Sequence, residues 1–391
     1  MDFGYYGSII LFVIISLLSQ SLIKKGHQFD ERRGYLQFGK KNNKLNRYYF
    51  LLVIIFTIFA VFRKVDIGLG GYDARNYINY FLYCNQSVSA YTEIIIEPLW
   101  LLICRAIRLF TSNYHIFFAI CYSFIIFSFV IFIKKYCPTG IDYTPFILVL
   151  WPYLKDFNTL RSGVAIGIIL IALTIIEEKR VLSIILLIST LFVHRMSVLY
   201  IPVFVFFYLF KGWRNKLKGY KLISFYAVFI VCSYLISKYL QRYIMRMNIL
   251  DSKDGYYLRM SIGESILSRW PMFFMQLCLL ISLIIFERKV RDSKEINNLR
   301  IFFTYDVLMI PASLILGMWR ASEYMYLVRI ILWGEVIRVA TTFVDDKSKK
   351  IVKLLAFIVI IAWLIFRIVQ EADDIGVIPY IFQLHNSWQG N

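Results

Sequence analysis

YHIFFAICYSFIIFSFVIFI, residues 114–133, contains no Asp, Glu, Lys or Arg. Wound as a helix at about 1.5 Å per residue, a stretch this long covers roughly 30 Å, the hydrocarbon thickness of a bilayer. Lys134 and Lys135 follow it directly, as basic residues do where a span leaves the membrane on the cytoplasmic side. The segment reads as a transmembrane helix, and its neighbours extend the pattern.

The whole chain of 391 residues is 59% hydrophobic, with a mean hydropathy of +0.63. A soluble domain sits near 45–50% apolar. The excess comes in blocks at 6–23, 48–63, 114–133, 143–155, 161–177, 181–193, 196–210, 221–237, 268–286, 301–318, 324–341 and 352–368. The expected fold is all-α: a polytopic transmembrane bundle of about ten to twelve spans in a single domain covering 1–391. The blocks 143–155 and 181–193 are short for a bilayer, which suits half-helices or helices sunk into the protein. The apolar run from Tyr6 to Leu18 has no basic segment before it and reads as a retained first helix.

The formal net charge is +19. The basic residues lie between apolar blocks and not along one face, which argues against nucleic acid and for cytoplasmic loops. Loops 24–47, 211–221, 287–300 and 345–353 are rich in Lys and Arg, so all four are expected inside and both termini outside. Parity then constrains IIIEPLWLLICRAIRLF, residues 94–110. With 24–47 inside, 65–92 is outside, and only one crossing can separate it from Lys134 and Lys135. The charges Glu97, Arg105 and Arg108 fall within an arc of about 80° on a helical wheel. The segment is therefore read as an amphipathic helix lying in the outer interface, inside an external loop 65–113. A second external loop, 238–267, carries Lys238, Arg242, Arg246, Lys253 and Arg259, and a basic external loop attracts anionic lipid-linked substrates.

None of the six cysteines makes a CxxC, and the four histidines form no HExxH or comparable cluster. No protein-bound metal and no cofactor is expected. His115 and His385 have no supporting neighbours and read as structural.

On this topology several polar groups fall at the outer ends of spans, where ionisable residues are costly and tend to be functional. They are Asp73 and Arg75 in GLGGYDARNYINYF, Glu97, Arg161 in FNTLRSGVAIG, His194 and Arg195 in LFVHRMS, and Arg320, Glu323 and Arg329 in MWRASEYMYLVRI. Each also has a plain reading. Asp73 follows two glycines and suits a turn or helix cap. Arg161 suits snorkelling from a helix start. His194 suits a packed histidine, Glu97 a solvated helix face, Arg320 a pair with Glu323 or Asp73, and Arg329 a buried ion pair. As a set, the site is rich in Arg and poor in acid. That suits a diphosphate, because the guanidinium fork binds phosphate oxygens in pairs and stays charged. An acid such as Asp73, or a histidine, can take a proton from a sugar hydroxyl.

Four stretches resemble the EpsG/Wzy family of bacterial polysaccharide polymerases, from about residue 48 to the C-terminus. They are GGYDARNYINYF, with Gly71, Asp73 and Tyr77; EPLWLLICRAIRLFTSNYHIFF, with Glu97, Pro98, Asn113 and Tyr114; the paired FNTLRSGVAIGIILIAL and STLFVHRMSVLYIPVF; and Arg320 to Tyr324. The sequence departs from the pattern at Ser162, where the family has Gln after the arginine, and at Arg195, where a small or neutral residue is common.

The resemblance implies a C-type glycosyltransferase at the outer face of the bacterial inner membrane, needing neither nucleotide sugar nor metal. It would polymerise undecaprenyl-diphosphate-linked oligosaccharide repeat units for O-antigen lipopolysaccharide or capsule, moving the growing glycan to the non-reducing end of the incoming unit. Asp73 or His194 would be catalytic. Arg161, Arg320, Tyr77, Glu97, Arg195, Tyr324 and Arg329 would bind substrate. The implied partners are the lipid-linked donor and acceptor, membrane lipids, a chain-length regulator and a flippase. Two competing readings are a ligase, expected to carry one external loop of about 60 residues or more, and a transporter or flippase, expected to show symmetrical halves. No such symmetry is visible.

Overall fold

The computed structural model describes residues 4–31, 43–66, 69–85, 97–136, 153–214, 220–246, 266–287, 289–290, 293–315, 323–377 and 379–383. Among these residues the chain is helical, with only isolated bridges at Arg63–Phe382 and Asp66–Leu69. Long apolar runs form helices here because a helix satisfies every backbone N–H and C=O internally. Among the described residues three helices are long and apolar enough to cross a membrane: Tyr114–Tyr136, Arg195–Gly212 and Lys221–Tyr243. Shorter apolar helices lie at Gly4–Ser19, Arg47–Val61, Leu160–Ile175, Arg180–Phe192 and Phe273–Ile285.

The chain divides into two compact units, residues 1–195 with 350–391 and residues 196–349. The first contains α1 (Gly4–Glu31), α2 (Asn43–Val61), α3 (Ala74–Leu82), α4 (Pro98–Arg108), α5 (Tyr114–Tyr136), α6 (Leu160–Ile175) and α7 (Arg180–Ser189). In order of contact, α1, α2, α5, α6 and α7 form a row, and α3 and α4 pair with one another, α3 resting on α5. Helix α6 is buried almost all round: Leu160, Ala165, Ile169, Leu170, Ala172 and Leu173 have no exposed surface. Its position is that of a core helix, as its uniformly apolar sequence demands.

Helix α4 is the amphipathic segment expected at 94–110, starting at Pro98 because proline fits the first turn, where no intrahelical N–H is needed. Trp100, Cys104 and Ile107, spaced four and three residues apart, are its buried face. Arg105 is exposed and donates from Nε to the Cys84 carbonyl at 2.8 Å, joining the far ends of α4 and α3. Burial raises the Cys84 and Cys104 thiols above the usual range, so both stay protonated and behave as small packing groups.

The second unit contains α8 (Pro202–Arg214), α9 (Tyr220–Arg246), α10 (Ile266–Ile285), α11 (Lys294–Leu308), α12 (Ile310–Ile315) and α13 (Tyr326–Ala340). Helix α11 touches α8, α9, α10 and α13, and residues Asn298 to Leu308 are all buried. Its first turn is capped by Ser293, whose hydroxyl accepts from the Ile296 N–H. Helix α14 (Asp346–Ile375) begins in this unit and runs into the first.

Some boundaries differ from those read in the sequence. Helix α9 continues to Arg246, into the stretch read as loop 238–267, and 247–265 lies outside the described residues. The span expected at 301–318 starts at Lys294 and breaks at Met309, two residues before Pro311, whose ring cannot follow an unbroken helix. Of the block 143–155, only the last residues are described; residues 153–156 form a buried helical turn. The block 181–193 is the ten-residue α7 followed by a 3₁₀ turn at Thr190–Phe192, a short, interrupted helix as its length suggested.

Candidate functional site

The first unit gathers charged residues from four separated stretches. Gly70 and Gly71 have φ of +73° and +104°, a region costly for residues with a Cβ. At Gly71 a Cβ would run into the Phe157 carbonyl oxygen, so only glycine lets the 70–73 turn sit against the 156–158 turn. Asp73 then starts α3. It occupies the N-cap position, yet its side chain makes no capping bond; Oδ1 instead accepts from Asn76 Nδ2 at 3.3 Å. The cap reading of Asp73 therefore does not describe its carboxylate.

The Asp73 backbone N–H donates to Asn158 Oδ1 at 2.7 Å, and the Tyr77 hydroxyl donates to the Asn158 carbonyl at 3.4 Å. Three residues after Asn158, Arg161 stands in the first turn of α6. Its Nη1 reaches Glu97 Oε2 at 2.5 Å, and its guanidinium lies 5.8 Å from the Tyr80 ring centre. Glu97 Oε1 accepts from the Arg195 backbone N–H at 3.3 Å. The Glu97 side chain is 8% exposed and that of Arg161 20%. A buried carboxylate has to be paired and hydrogen-bonded, and here Arg161 and Arg195 supply both. Glu97 thus orients Arg161 and ties α4 to the turn before Met196. Arg161 Nε is buried with no partner among the described residues, and so is Trp100 Nε1. Tyr80 keeps its phenol protonated, pushed up first by burial and lowered less by Arg161.

His194 lies between the two 3₁₀ turns, next to Arg195, and its N–H donates to the Thr190 carbonyl at 2.9 Å. The structure thus brings together Asp73, Tyr77, Glu97, Arg161 and Arg195, and places His194 one residue along the chain. Tyr324 and Arg329 lie in the second unit. Tyr324 is fully buried and stacked on Tyr200, with ring centres 4.9 Å apart. Arg329 pairs with Asp306: Nε to Oδ2 is 2.8 Å and Nη2 to Oδ1 is 3.5 Å. Gln276 Nε2 adds a bond to Oδ2 at 2.9 Å. The ion-pair reading of Arg329 is the one observed. Arg320 lies outside the described residues.

Sequence reasoning missed three structural partners. Arg63, 1% exposed, donates from Nε to the Gly70 carbonyl at 2.7 Å and from Nη2 to the Tyr122 hydroxyl at 2.9 Å, and its Nη1 bonds the Ala60 carbonyl. The rings of Phe157, Phe118 and Tyr122 stand 4.3, 4.8 and 5.0 Å from its guanidinium. A buried cation is tolerable in such a cage of carbonyls and aromatic faces, and this one fixes the 70–73 turn to the 156–158 turn. The C-terminal residues reinforce it: Lys64 N–H donates to the Ile381 carbonyl, Gln383 N–H to Phe62, and Gly71 N–H to Gly376, at 2.7, 2.7 and 3.0 Å. Asn158 and Asp306 were missed as well. For Asp306 a signal existed, since an acid inside an apolar span needs a partner.

Membrane-length helices and a charged cluster seated among apolar helices define an integral membrane protein with a polar site. The chain belongs to the EpsG family: that family's model matches residues 46–382, most of its length. Family membership carries a polymerase type of function in membrane polysaccharide synthesis. No curated protein and no solved structure matches the chain. Among the described residues no cluster of His, Cys, Asp and Glu is arranged to hold a metal ion.

Proposed function

We propose that the protein polymerises undecaprenyl-diphosphate-linked oligosaccharide repeat units at the outer face of the bacterial inner membrane, transferring the growing glycan to the non-reducing sugar of the next unit. One observation carries this reading. Arg161 is held by Glu97 and Tyr77 and has no partner for Nε among the described residues, in the same cluster as an Asp73 carboxylate that does not cap its helix. A cation with spare donors beside a carboxylate suits a reaction that releases a diphosphate and takes a proton from an alcohol.

In this mechanism a hydroxyl of the acceptor sugar gives its proton to Asp73 or His194 as its oxygen bonds the donor's anomeric carbon. The bond from that carbon to the diphosphate oxygen breaks, and the electron pair leaves with the diphosphate. Arg161 offsets the charge gathering on the leaving group. The half-buried ring of Tyr80 gives an apolar face suited to a sugar, and buried Tyr77 supports it from beneath. Arg329 and Tyr324, engaged by Asp306 and Tyr200, are assigned to holding the second unit together. O-antigen and capsule units are both within this class of substrate. The outer-face placement rests on the basic loops being cytoplasmic.

Purified protein given lipid-linked repeat units is expected to produce a ladder of chain lengths, and Arg161→Ala to lose it by 100-fold or more. A full ladder from Arg161→Ala would overturn the assignment.

A further inference from the structure

Asn158 is held at three points: Oδ1 by the Asp73 N–H at 2.7 Å, its carbonyl by the Tyr77 hydroxyl at 3.4 Å, and its own N–H on the Lys155 carbonyl at 2.9 Å. The first bond also settles the orientation of the amide. A backbone N–H can only donate, so the atom facing it has to be the oxygen. The Nδ2 group, with two N–H donors, therefore points away from the Asp73 backbone, and no described residue accepts from it. Asn158 is half-buried. Its oxygen meets the Asp73 turn, and Arg161, whose Nε has no partner among the described residues, follows three residues along the chain.

We infer that the Asn158 side-chain amide is a fixed hydrogen-bond donor to an oxygen of the donor diphosphate, working beside Arg161. The inference rests on the polymerase reading above. A diphosphate oxygen fits better than a sugar hydroxyl awaiting deprotonation, because an NH₂ group cannot accept that proton. Donors already clamped in place stabilise developing charge without reorganising during the reaction. Asn158 thus has two halves with two tasks. Its oxygen positions the Asp73 turn, and its nitrogen meets the substrate.

Asn158→Asp separates the two tasks. The new carboxylate keeps an oxygen for the Asp73 N–H and nearly the same shape, but replaces the two donors by a negatively charged acceptor. The expected result is a loss of at least about 100-fold in kcat/KM for the lipid-linked donor, with the melting midpoint in detergent unchanged. The activity ratio to wild type should climb as pH falls, because the protonated acid regains one donor. A ratio near one at neutral pH, with no pH dependence, would mean a turn clasp only and overturn the inference. If Arg161→Ala also polymerises normally in the same assay, the polymerase site itself is misassigned.

Should Asn158→Asp fail to fold, wild-type protein carrying ¹⁵N-asparagine gives the answer. The Asn158 side-chain NH₂ resonance, identified by its loss in Asn158→Ser, should move on adding undecaprenyl diphosphate. An unmoved resonance at saturation overturns the inference.

Discussion

Arg161 in the first unit and Arg329 in the second are each paired with a buried carboxylate, and the two pairs are built differently. In the second unit Asp306 is 1% exposed and Arg329 7%; both carboxylate oxygens are engaged, and Gln276 adds a third bond. In the first unit Glu97 is 8% exposed but Arg161 is 20%, and Arg161 Nε has no partner among the described residues. The second-unit pair is almost wholly enclosed, with little of either side chain open to a ligand. In the first unit Glu97 and Tyr77 hold the guanidinium, which stays 20% exposed with its Nε unpartnered among the described residues. Two pairs of the same chemistry thus separate into a holding role and a working role by how much of the arginine stays open, which no inventory of residue types reveals.

The strongest way to break this contrast is to remove one partner and then both. Arg329→Ala leaves a buried, uncompensated carboxylate and should cost about 3–5 kcal/mol, read as a fall in melting midpoint or loss of monodisperse protein in detergent. Replacing both partners by apolar groups, Asp306→Leu with Arg329→Met, should recover most of that stability and leave the glycan ladder intact. The matching pair in the first unit, Glu97→Leu with Arg161→Met, should also fold but make no ladder. A second-unit double variant that folds and makes no ladder would return Arg329 to the substrate.

Gly71→Ala attacks the working site through its frame. The residue has a positive φ and its Cβ would strike the Phe157 carbonyl, so the expected cost is about 1–3 kcal/mol of backbone strain, with polymerisation falling more than the midpoint suggests because the Asp73 turn moves. A midpoint and a ladder both at wild-type level would show that the two turns do not need to meet.

The sequence reading reached some of this directly. The span at 114–133 is seen as Tyr114–Tyr136, because a long uncharged run leaves one solution in lipid. The segment 94–110 yields α4 because its apolar and charged residues separate by helical period. Asp73, Glu97, Arg161 and Arg195 stood out for the same reason that they cluster: a charge among apolar residues needs a partner. Asn158 was invisible because a neutral polar residue in a turn costs nothing, and only its contact with the Asp73 N–H distinguishes it. Arg63 at the end of an apolar block looks like any snorkelling arginine until the carbonyls of Ala60 and Gly70 and the ring of Phe157 surround it. Asp306 was legible in principle, but its partner Arg329, more than twenty residues away, was not.

Glu97→Gln sharpens the contrast more gently. The amide keeps its size and an acceptor oxygen, and loses the charge that makes the bond to Arg161 strong. Charge-assisted hydrogen bonds are worth about 1.5–3 kcal/mol and neutral ones about 1, so the difference corresponds to roughly a tenfold effect. It should show as a higher KM for the donor with kcat less changed, since Arg161 is still present but less well aimed. An equal fall in kcat with KM unmoved would mean that Glu97 acts on the transition state and not on the arginine.

The smallest effect is expected at Tyr80, the ring 5.8 Å from Arg161. Burial is the largest influence on its phenol and raises its pKa, against a smaller lowering by Arg161. A phenol whose pKa is already about 10 in water, raised further, stays neutral throughout the range in which a polymerase is assayed, so it has no proton to give or take there. Its usefulness lies in the ring face. Tyr80→Phe keeps that face and should change kcat/KM by less than about threefold, leaving the pH profile where it was. A displaced pH profile would make the hydroxyl part of the proton path and move the base away from Asp73 and His194. An unchanged profile in Tyr80→Phe, together with a profile displaced by Asp73→Asn, would leave the carboxylate as the group in the first unit that takes the proton.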